Sequence, residues 1–192
     1  IRVPRTFMSP MIFNSSSYNS KILLEVFRFF NKSVVIKENE GSFGMQVYLA
    51  EKEEDFFHII NKIIKENKRF IIQENIKSSF GRDIRVNING DKVIGAMERT
   101  SLTDFRANIS QGGIGKLTEL SKEEEALALL AHKALGLDFS GVDLLFGENN
   151  EPILCEVNSN LNFLSFEKIW GRSFAREILL YIIGELKWEK AT

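Results

Sequence analysis

Apolar residues recur along this chain with two spacings, and the two spacings predict two kinds of element. Helical spacing is found in the segments 20–30, 52–68, 121–137 and 166–186. Ser20 is the predicted N-cap of the first helix, and Ser121 with Glu124 predicts a capping box at the third. Gly136 is expected to close the third helix, and Gly171 is expected to break the last one.

Shorter runs rich in β-branched or alternating apolar residues predict strands. Single strands are expected within 33–40, 41–51 and 69–76, and hairpins within 81–100 and 141–160. Asn89-Gly90 predicts the turn of the first hairpin, and residues 148–150 centre the second. Residues 104–116 lack apolar periodicity and are predicted to form a long loop, and the polar residues 14–20 are predicted to form a loop or a helix entry.

The order of these elements, with helices among strands and antiparallel hairpins, predicts an α+β fold. A natural cut falls after residue 73. We therefore expect two small lobes with a cleft between them. The smaller lobe, 1–73, contains a glycine loop, and the larger lobe, 74–192, contains the second hairpin.

Composition and charge narrow the class of protein without naming a function. The 192 residues carry 25 Lys and Arg against 26 Asp and Glu, and this balance gives no general attraction to nucleic acid or to an anionic membrane. No apolar run approaches the roughly 20 residues that span a bilayer. The single cysteine, Cys155, is expected to be a small core residue and favours a reducing cytoplasm. Because the sequence starts with IRVPRT and not with Met, we expect a piece of a longer protein.

The second hairpin, GVDLLFGENNEPILCEVNSN, carries one acid on each strand. In a register that pairs Phe146 with Ile153, Asp143 lies opposite Glu156, with Cβ atoms roughly 5 Å apart. Asn158 shares the face of Glu156 because side chains alternate along a strand. Two carboxylates and an amide oxygen are hard ligands of the kind that Mg²⁺ prefers, and a cation would relieve the repulsion between facing acids. The alternative is a solvated face on which both acids lie in water.

The other candidate residues give weaker signals. GSFG at 41–44 can bring backbone N–H groups close to phosphate, but it is most often an ordinary turn, and no Walker A motif is present. Lys37 ends a predicted strand and Arg106 offers a fixed fork of donors, although either side chain could simply be solvated. His58 is expected to be partly packed and His132 to lie on the surface, and no His/Cys cluster indicates zinc.

Taken in order, the motifs of this chain resemble those of ATP-grasp ligases, especially the branch of the ribosomal-protein glutamate ligase (RimK-like). The motifs are VVIKENEGSFGMQV, QENI, GRDIRV, DFRANISQGG, GVDLL and CEVNSN. The resemblance covers nearly the whole chain and implies an ATP-grasp fold with ATP bound between the lobes. Ser110-Gln111 and NSNLNF depart from the glutamate ligase near its acceptor side. IRVPRT resembles the exit from the family's N-terminal lobe, so that lobe and its nucleotide-binding Lys are expected to be absent.

The resemblance implies a nucleotide-binding role for several residues of the first half of the chain. Lys37 would contact the adenine and α-phosphate side of ATP. Gly41, Ser42 and Gly44 would form a mobile loop over the phosphates. Glu74-Asn75 would be the hinge that holds the adenine, largely through backbone groups.

Further residues are implied at the ribose, at the γ-phosphate and at the metal ions. Asp83 would lie at the ribose or nearby. Arg106, the implied catalytic residue, would bind the γ-phosphate and the charge that develops during transfer. Asp143, Glu156 and Asn158 would hold two Mg²⁺ ions, with Glu156 bridging them and Mn²⁺ as an alternative ion.

The implied activity is ATP- and Mg²⁺-dependent ligation of a carboxylate to an amine. The carboxylate attacks the γ-phosphate to give an acyl phosphate and ADP, and the amine then displaces phosphate. The expected partners are a small-molecule or peptide carboxylate and an amine such as an amino acid, with no membrane or nucleic acid; relatives of this type often form homo-oligomers. The alternative is a nucleotide-binding regulatory module or fragment without ligase turnover, and a weaker alternative is a kinase.

Overall fold

The chain folds into two compact units, each built on one antiparallel sheet. The computed structural model describes residues 1–9 and 19–189, and the side chains of the last helix up to residue 185. The small unit is Pro4–Lys77, and the large unit is Ser78–Thr192 together with Ile1–Val3. The division into functional lobes at residues 1–73 and 74–192 stays a prediction.

The small unit is a four-stranded sheet, ordered β1-β4-β2-β3, with two helices. Its elements are β1 (Thr6–Met8), α1 (Ser20–Phe29), β2 (Val34–Glu38), β3 (Val47–Ala50), α2 (Glu53–Lys65) and β4 (Phe70–Glu74). Helices and sheet share one buried apolar core. Phe27 of α1 stacks on Phe56 of α2 with ring centroids 4.6 Å apart, which joins the two helices within that core.

The large unit is a five-stranded sheet, ordered β7-β6-β5-β8-β9. Its strands are β5 (Arg82–Asn89), β6 (Lys92–Thr100), β7 (Ile114–Thr118), β8 (Phe139–Phe146) and β9 (Pro152–Asn158). Its helices are α3 (Lys122–Ala134), α4 (Leu164–Trp170) and α5 (Phe174–Glu189). Short 3₁₀ turns occur at Lys77–Ser79 and Ile109–Gln111.

The sheet of the large unit packs on both faces because its strands alternate two sets of side chains. Ile84 and Val86 belong to the core shared with α3. Met97 belongs to a second core with Phe166 of α4 and Phe174 of α5. The predicted α+β fold is therefore confirmed, with antiparallel sheets and helices in each unit.

Local signals at the helix ends are mostly confirmed. The capping box is present, since the N–H of Glu124 donates to Ser121 Oγ at 3.2 Å and the N–H of Ser121 donates to Glu124 Oε2 at 2.7 Å. Gly171, with φ 73°, separates α4 from α5 as predicted. The predicted cap at Ser20 is wrong. Asn19 is the N-cap, and its side chain accepts two backbone N–H groups, because Ser20 is already the first helical residue.

The first hairpin is confirmed, but its turn lies one residue further along than predicted: Asn89 pairs with Lys92 at the end of the strands, and Gly90, with φ 59°, and Asp91 form the loop. The predicted loop at 104–116 is wrong at its end, where β7 starts at Ile114. The sequence did not predict β7 because it is an edge strand in which exposed and buried positions do not alternate. The three-residue strand β1 was not predicted either. Residues 14–18 of the other predicted loop lie outside the described residues.

Both histidine expectations are wrong. His132 is 2% exposed, and its Nδ1 lies 2.8 Å from Ser140 Oγ. Its helix turns this side chain inward on the same face as Ala128. His58 is exposed on α2 rather than partly packed.

Candidate functional site

Asp143 and Glu156 are paired across β8 and β9, as the hairpin pattern predicts. Immediately beyond this pair the register shifts, and Leu144 pairs with Leu154. Cys155 is therefore the extra residue of a β-bulge next to the acid pair. Bulges re-aim side chains and are frequent beside functional sites.

The bulge corrects the register expected for the rest of the hairpin. Phe146 pairs with Pro152, and Ile153 pairs with Leu145, so the predicted pairing of Phe146 with Ile153 is wrong by one residue. A pattern of alternating residues carries no signal for one inserted residue. Cys155 is half-buried at the bulge rather than in the core.

Asp143 is 3% exposed, and its carboxylate is held by two arginines. Arg85, its cross-strand partner on β5, donates from Nε to Oδ1 and from Nη2 to Oδ2, the latter at 2.7 Å. Arg99 Nη2 lies 2.9 Å from the same Oδ2. The strand order β6-β5-β8 brings both guanidinium groups beside this acid.

Arg99 also holds Asp83, its cross-strand partner on β5. Its Nε and Nη2 donate to the two carboxylate oxygens of Asp83, each at 2.6 Å. Asp83, Arg85, Arg99 and Asp143 thus form a buried charge cluster of two carboxylates and two guanidiniums. Such a cluster is tolerated in the interior because each charge is paired and hydrogen-bonded.

The two acids of the buried charge cluster titrate in opposite directions. Burial would raise the pKa of Asp143, but the attraction of Arg85 and then of Arg99 outweighs burial and lowers that pKa. Burial raises the pKa of Asp83 by more than the attraction and hydrogen bonds of Arg99 lower it, and repulsion by Asp143 adds to the increase. Asp143 is therefore the more firmly ionised carboxylate.

Glu156 is exposed, unlike its cross-strand partner. Asn158, on the same face two residues on, donates from Nδ2 to Glu156 Oε1 at 3.1 Å. Within the described residues no group of three or more His, Cys, Asp and Glu side chains could hold a metal ion. The donor set at this hairpin is instead two carboxylates and one amide oxygen, a set whose chemistry fits Mg²⁺.

The glycine loop of the small unit is exposed and shaped by one glutamine. The N–H of Ser42 donates to Gln46 Oε1 at 3.1 Å, and Gly44 has φ 71°. A Cβ at Gly41 would lie 2.6 Å from Gln46 Oε1, so a side chain there would displace this contact. Lys37 lies on the adjoining strand β2, opposite Val47 of β3.

The predicted hinge residues are engaged through their side chains. Glu74 accepts two hydrogen bonds from the Arg5 guanidinium, at 3.0 and 3.1 Å. Asn75 Nδ2 donates to Ser33 Oγ at 3.0 Å. These contacts fix the end of β4, and the hinge role itself stays a prediction.

Arg106 lies in the loop before the 3₁₀ turn of the large unit, where it pairs with Asp104. Its Nε and Nη2 donate to the two oxygens of that carboxylate, at 3.0 and 2.7 Å. Hydrogen bonding from Arg106 lowers the pKa of Asp104 in spite of partial burial. The bidentate pair holds the guanidinium in one orientation.

Sequence reasoning identified Asp143 but missed the two arginines that surround it. Arg85 is separated from Asp83 by one residue, so both share a face of β5, and the facing strand β6 carries Arg99. The available signal was that charges of opposite sign face each other on neighbouring strands: Arg99 of β6 faces Asp83 of β5, and Arg85 of β5 faces Asp143 of β8. Reading that signal requires the strand order, which no local pattern contains.

The chain belongs to the RimK-like ATP-grasp family, whose model matches residues 7–182. A protein of Parasynechococcus marenigrum named "probable alpha-L-glutamate ligase" is 36% identical over 177 residues, which cover 92% of this chain and 37% of that relative. A protein of the same name from Shewanella loihica is 40% identical over 155 residues, which cover 80% of this chain and 51% of that relative. The chain thus spans about half or less of the length of these relatives.

Solved structures show the same fold. D-alanine–D-alanine ligase from Bacillus anthracis matches 100% of this chain and 64% of its own with a TM-score of 0.73 and 17% identity. The ATP-grasp ligase PsnB, solved with a minimal precursor, Mg and ADP, matches with a TM-score of 0.72 and 18% identity. The match covers 97% of this chain and 54% of the PsnB chain. In the part of this chain that the structure covers, no helix has both the length and the apolar character to cross a membrane.

Proposed function

We propose that this chain supplies the nucleotide- and metal-binding part of an ATP- and Mg²⁺-dependent ligase that joins a carboxylate to an amine through an acyl phosphate. The observation that carries the proposal is the pairing of Asp143 with Glu156, beside Asn158, in a chain of the RimK-like ATP-grasp family. The relatives named alpha-L-glutamate ligase support an amino acid, such as glutamate, as one of the two substrates.

The metal ions would be held by Asp143, Glu156 and Asn158. Glu156, the exposed member, would be the ligand shared by the two ions, and the buried Asp143 would be the second carboxylate ligand. Bound Mg²⁺ would neutralise charge on the ATP phosphates, and Mn²⁺ would serve as an alternative ion.

Several residues of the small unit are proposed to bind the nucleotide. We propose Lys37 for the adenine and α-phosphate side, the glycine loop of Gly41, Ser42 and Gly44 for the phosphates, and Glu74-Asn75 for the adenine. The exposed loop backbone suits this role because small residues let N–H groups approach phosphate oxygens.

Asp83 is proposed for the ribose side and Arg106 for the γ-phosphate. Both side chains are already held in ion pairs, Asp83 by Arg99 and Arg106 by Asp104, so the nucleotide would share these groups with their protein partners. Arg106 supplies a positive charge in a fixed orientation, and such a charge stabilises the negative charge that builds up during phosphoryl transfer.

In the proposed reaction a substrate carboxylate attacks the γ-phosphate of ATP and displaces ADP, giving an acyl phosphate. The substrate amine then attacks the acyl carbon, forms the amide and displaces inorganic phosphate. The protein's contribution is to position the reactants and to neutralise charge, since the chemistry is carried by the phosphates themselves.

The test measures ADP release and amide formation by the natural protein that carries this sequence, with a panel of carboxylates and amines that includes glutamate. Glu156→Gln is expected to abolish ADP release, whereas Glu148→Gln, an exposed acid in the turn of the same hairpin, leaves it unchanged. ADP release that is insensitive to Glu156→Gln contradicts the metal assignment. ATP binding without any amide product supports a regulatory module instead, and a stable phosphorylated product supports a kinase.

A further inference from the structure

We propose that Arg85 and Arg99 are positioning residues that make Asp143 a fixed metal ligand offering a single oxygen atom. The inference rests on the metal site proposed above and adds to it the two arginines that determine how one ligand binds. Arg85 lies within the GRDIRV motif and Arg99 lies outside the motifs, and neither was assigned a role from the sequence.

The hydrogen bonds to Asp143 determine which of its oxygens remains available. A carboxylate offers about four lone-pair positions, two on each oxygen. Oδ1 accepts one hydrogen bond, from Arg85 Nε. Oδ2 accepts two, from Arg85 Nη2 at 2.7 Å and from Arg99 Nη2 at 2.9 Å. One position therefore remains on Oδ1, and Asp143 can bind a cation through that atom alone.

Packing prevents Arg85 from leaving this arrangement. Its side chain is 11% exposed and passes over Gly141, where a Cβ would lie 2.9 Å from Arg85 Cδ and 2.5 Å from Leu161 Cδ1. The glycine thus provides the space that the arginine fills. Because Arg85 is confined on this side, its fork cannot easily rotate away from Asp143.

Arg99 is held just as firmly from the other side. Its side chain is 6% exposed, and the bidentate bond to Asp83 fixes the plane of the guanidinium. The orientation of Asp143 is thus determined by a chain of contacts that runs from Asp83 through Arg99. Glu156 differs, because it is exposed and contacts Asn158, so it can adjust to the ion or bridge two ions.

The experiment titrates Mn²⁺ alone into the 192-residue chain and follows binding by water-proton relaxation. Arg85→Lys and Arg99→Lys keep the positive charge but lose the fork, and each is expected to weaken Mn²⁺ binding by about 10- to 100-fold, as is usual when a partner that orients a metal ligand is lost. Arg82→Lys is the matched control, since Arg82 pairs with Glu98 on the same two strands but outside the buried charge cluster, and its affinity should not change. Circular dichroism confirms the fold of each variant.

Asp143→Asn separates the two possible failures. If Asp143→Asn weakens Mn²⁺ binding while both lysine variants bind like the wild type, the positioning role is overturned and the metal site stands. If Asp143→Asn has no effect, the metal site fails and the positioning role fails with it. Should a lysine variant not fold, Gly141→Ala displaces Arg85 without removing a charge, and unchanged Mn²⁺ affinity in that variant overturns the proposal for Arg85.

Discussion

Asp143 and Glu156 are cross-strand partners that lie in opposite surroundings, one buried between two guanidiniums and the other exposed beside an amide. Two facing acids would ordinarily destabilise a sheet. Here Arg85 and Arg99 already neutralise the buried member, so the pair is stable without a cation. The exposed member, Glu156, retains the charge that a cation would meet.

Removal of Arg99 should strongly destabilise the large unit. Arg99→Met leaves Asp83 without its partner and removes one of two arginines from Asp143, and breaking a buried pair in this way costs about 3–5 kcal/mol. The control, Arg82→Met, breaks a pair that is only half-buried and should cost about 1 kcal/mol or less. Urea denaturation measures both. Equal costs for the two variants would show that the buried charge cluster is not a special source of stability.

His132 should make the free energy of unfolding depend on pH. Burial lowers the pKa of His132 below its ordinary value of about 6.5, so the unfolded chain takes up a proton before the folded chain does as the pH falls. This contribution to stability is therefore full above about pH 6.5 and is lost below it.

Urea denaturation at pH 7.5 and pH 5.5 tests this prediction. The free energy of unfolding should differ less between the two pH values in His132→Asn than in the wild type. In His58→Gln the wild-type difference should persist, because His58 is exposed. A wild-type protein whose stability rises as the pH falls through this range contradicts the predicted sign.

The structure and the sequence pattern assign the N-cap of α1 to different residues. Asn19 accepts the N–H groups of Lys21 and Ile22 at 3.0 and 3.3 Å, whereas Ser20 lies inside the helix. Asn19→Ala should therefore cost about 1 kcal/mol, the usual effect of losing a cap. Ser20→Ala should be neutral or slightly stabilising. Thermal or urea unfolding measures both variants. If Ser20→Ala costs more stability than Asn19→Ala, Ser20 is the N-cap, as the sequence pattern predicts.

Two glycines should respond to alanine with opposite signs. At Gly95 a Cβ would lie 2.7 Å from Phe166 Cζ, so Gly95→Ala forces the ring to move and should cost about 1–3 kcal/mol, as overpacking does. At Gly184, inside α5, an added Cβ would meet no atom within 4 Å apart from its own helix backbone and chain neighbours, and Gly184→Ala should stabilise by up to about 1 kcal/mol through helix propensity. The free energies of unfolding of the two variants, measured side by side, test this prediction. A change of the same sign in both variants contradicts it.

Much of the local structure could be predicted from the sequence. The helix and strand periods, the capping box at Ser121, the turn at Gly90 and the break at Gly171 all follow from residues close in the chain. Predictions failed where the signal was weak or displaced by one residue. The cap moved from Ser20 to Asn19, and the edge strand β7 lacked alternation.

What the sequence alone determined at the candidate site was a hairpin with one acid on each strand and the face that Glu156 shares with Asn158, because strand period and turn position are local properties. The pairing of Asp143 with Glu156 followed only in one assumed register. What only the tertiary structure decided was the environment of that pair. The order β6-β5-β8-β9 places Arg85 and Arg99 beside Asp143 from strands distant in the chain, and the bulge at Cys155 changes the register next to it. Electrostatic surroundings depend on which strands are neighbours in space, and no spacing along the chain specifies those neighbours.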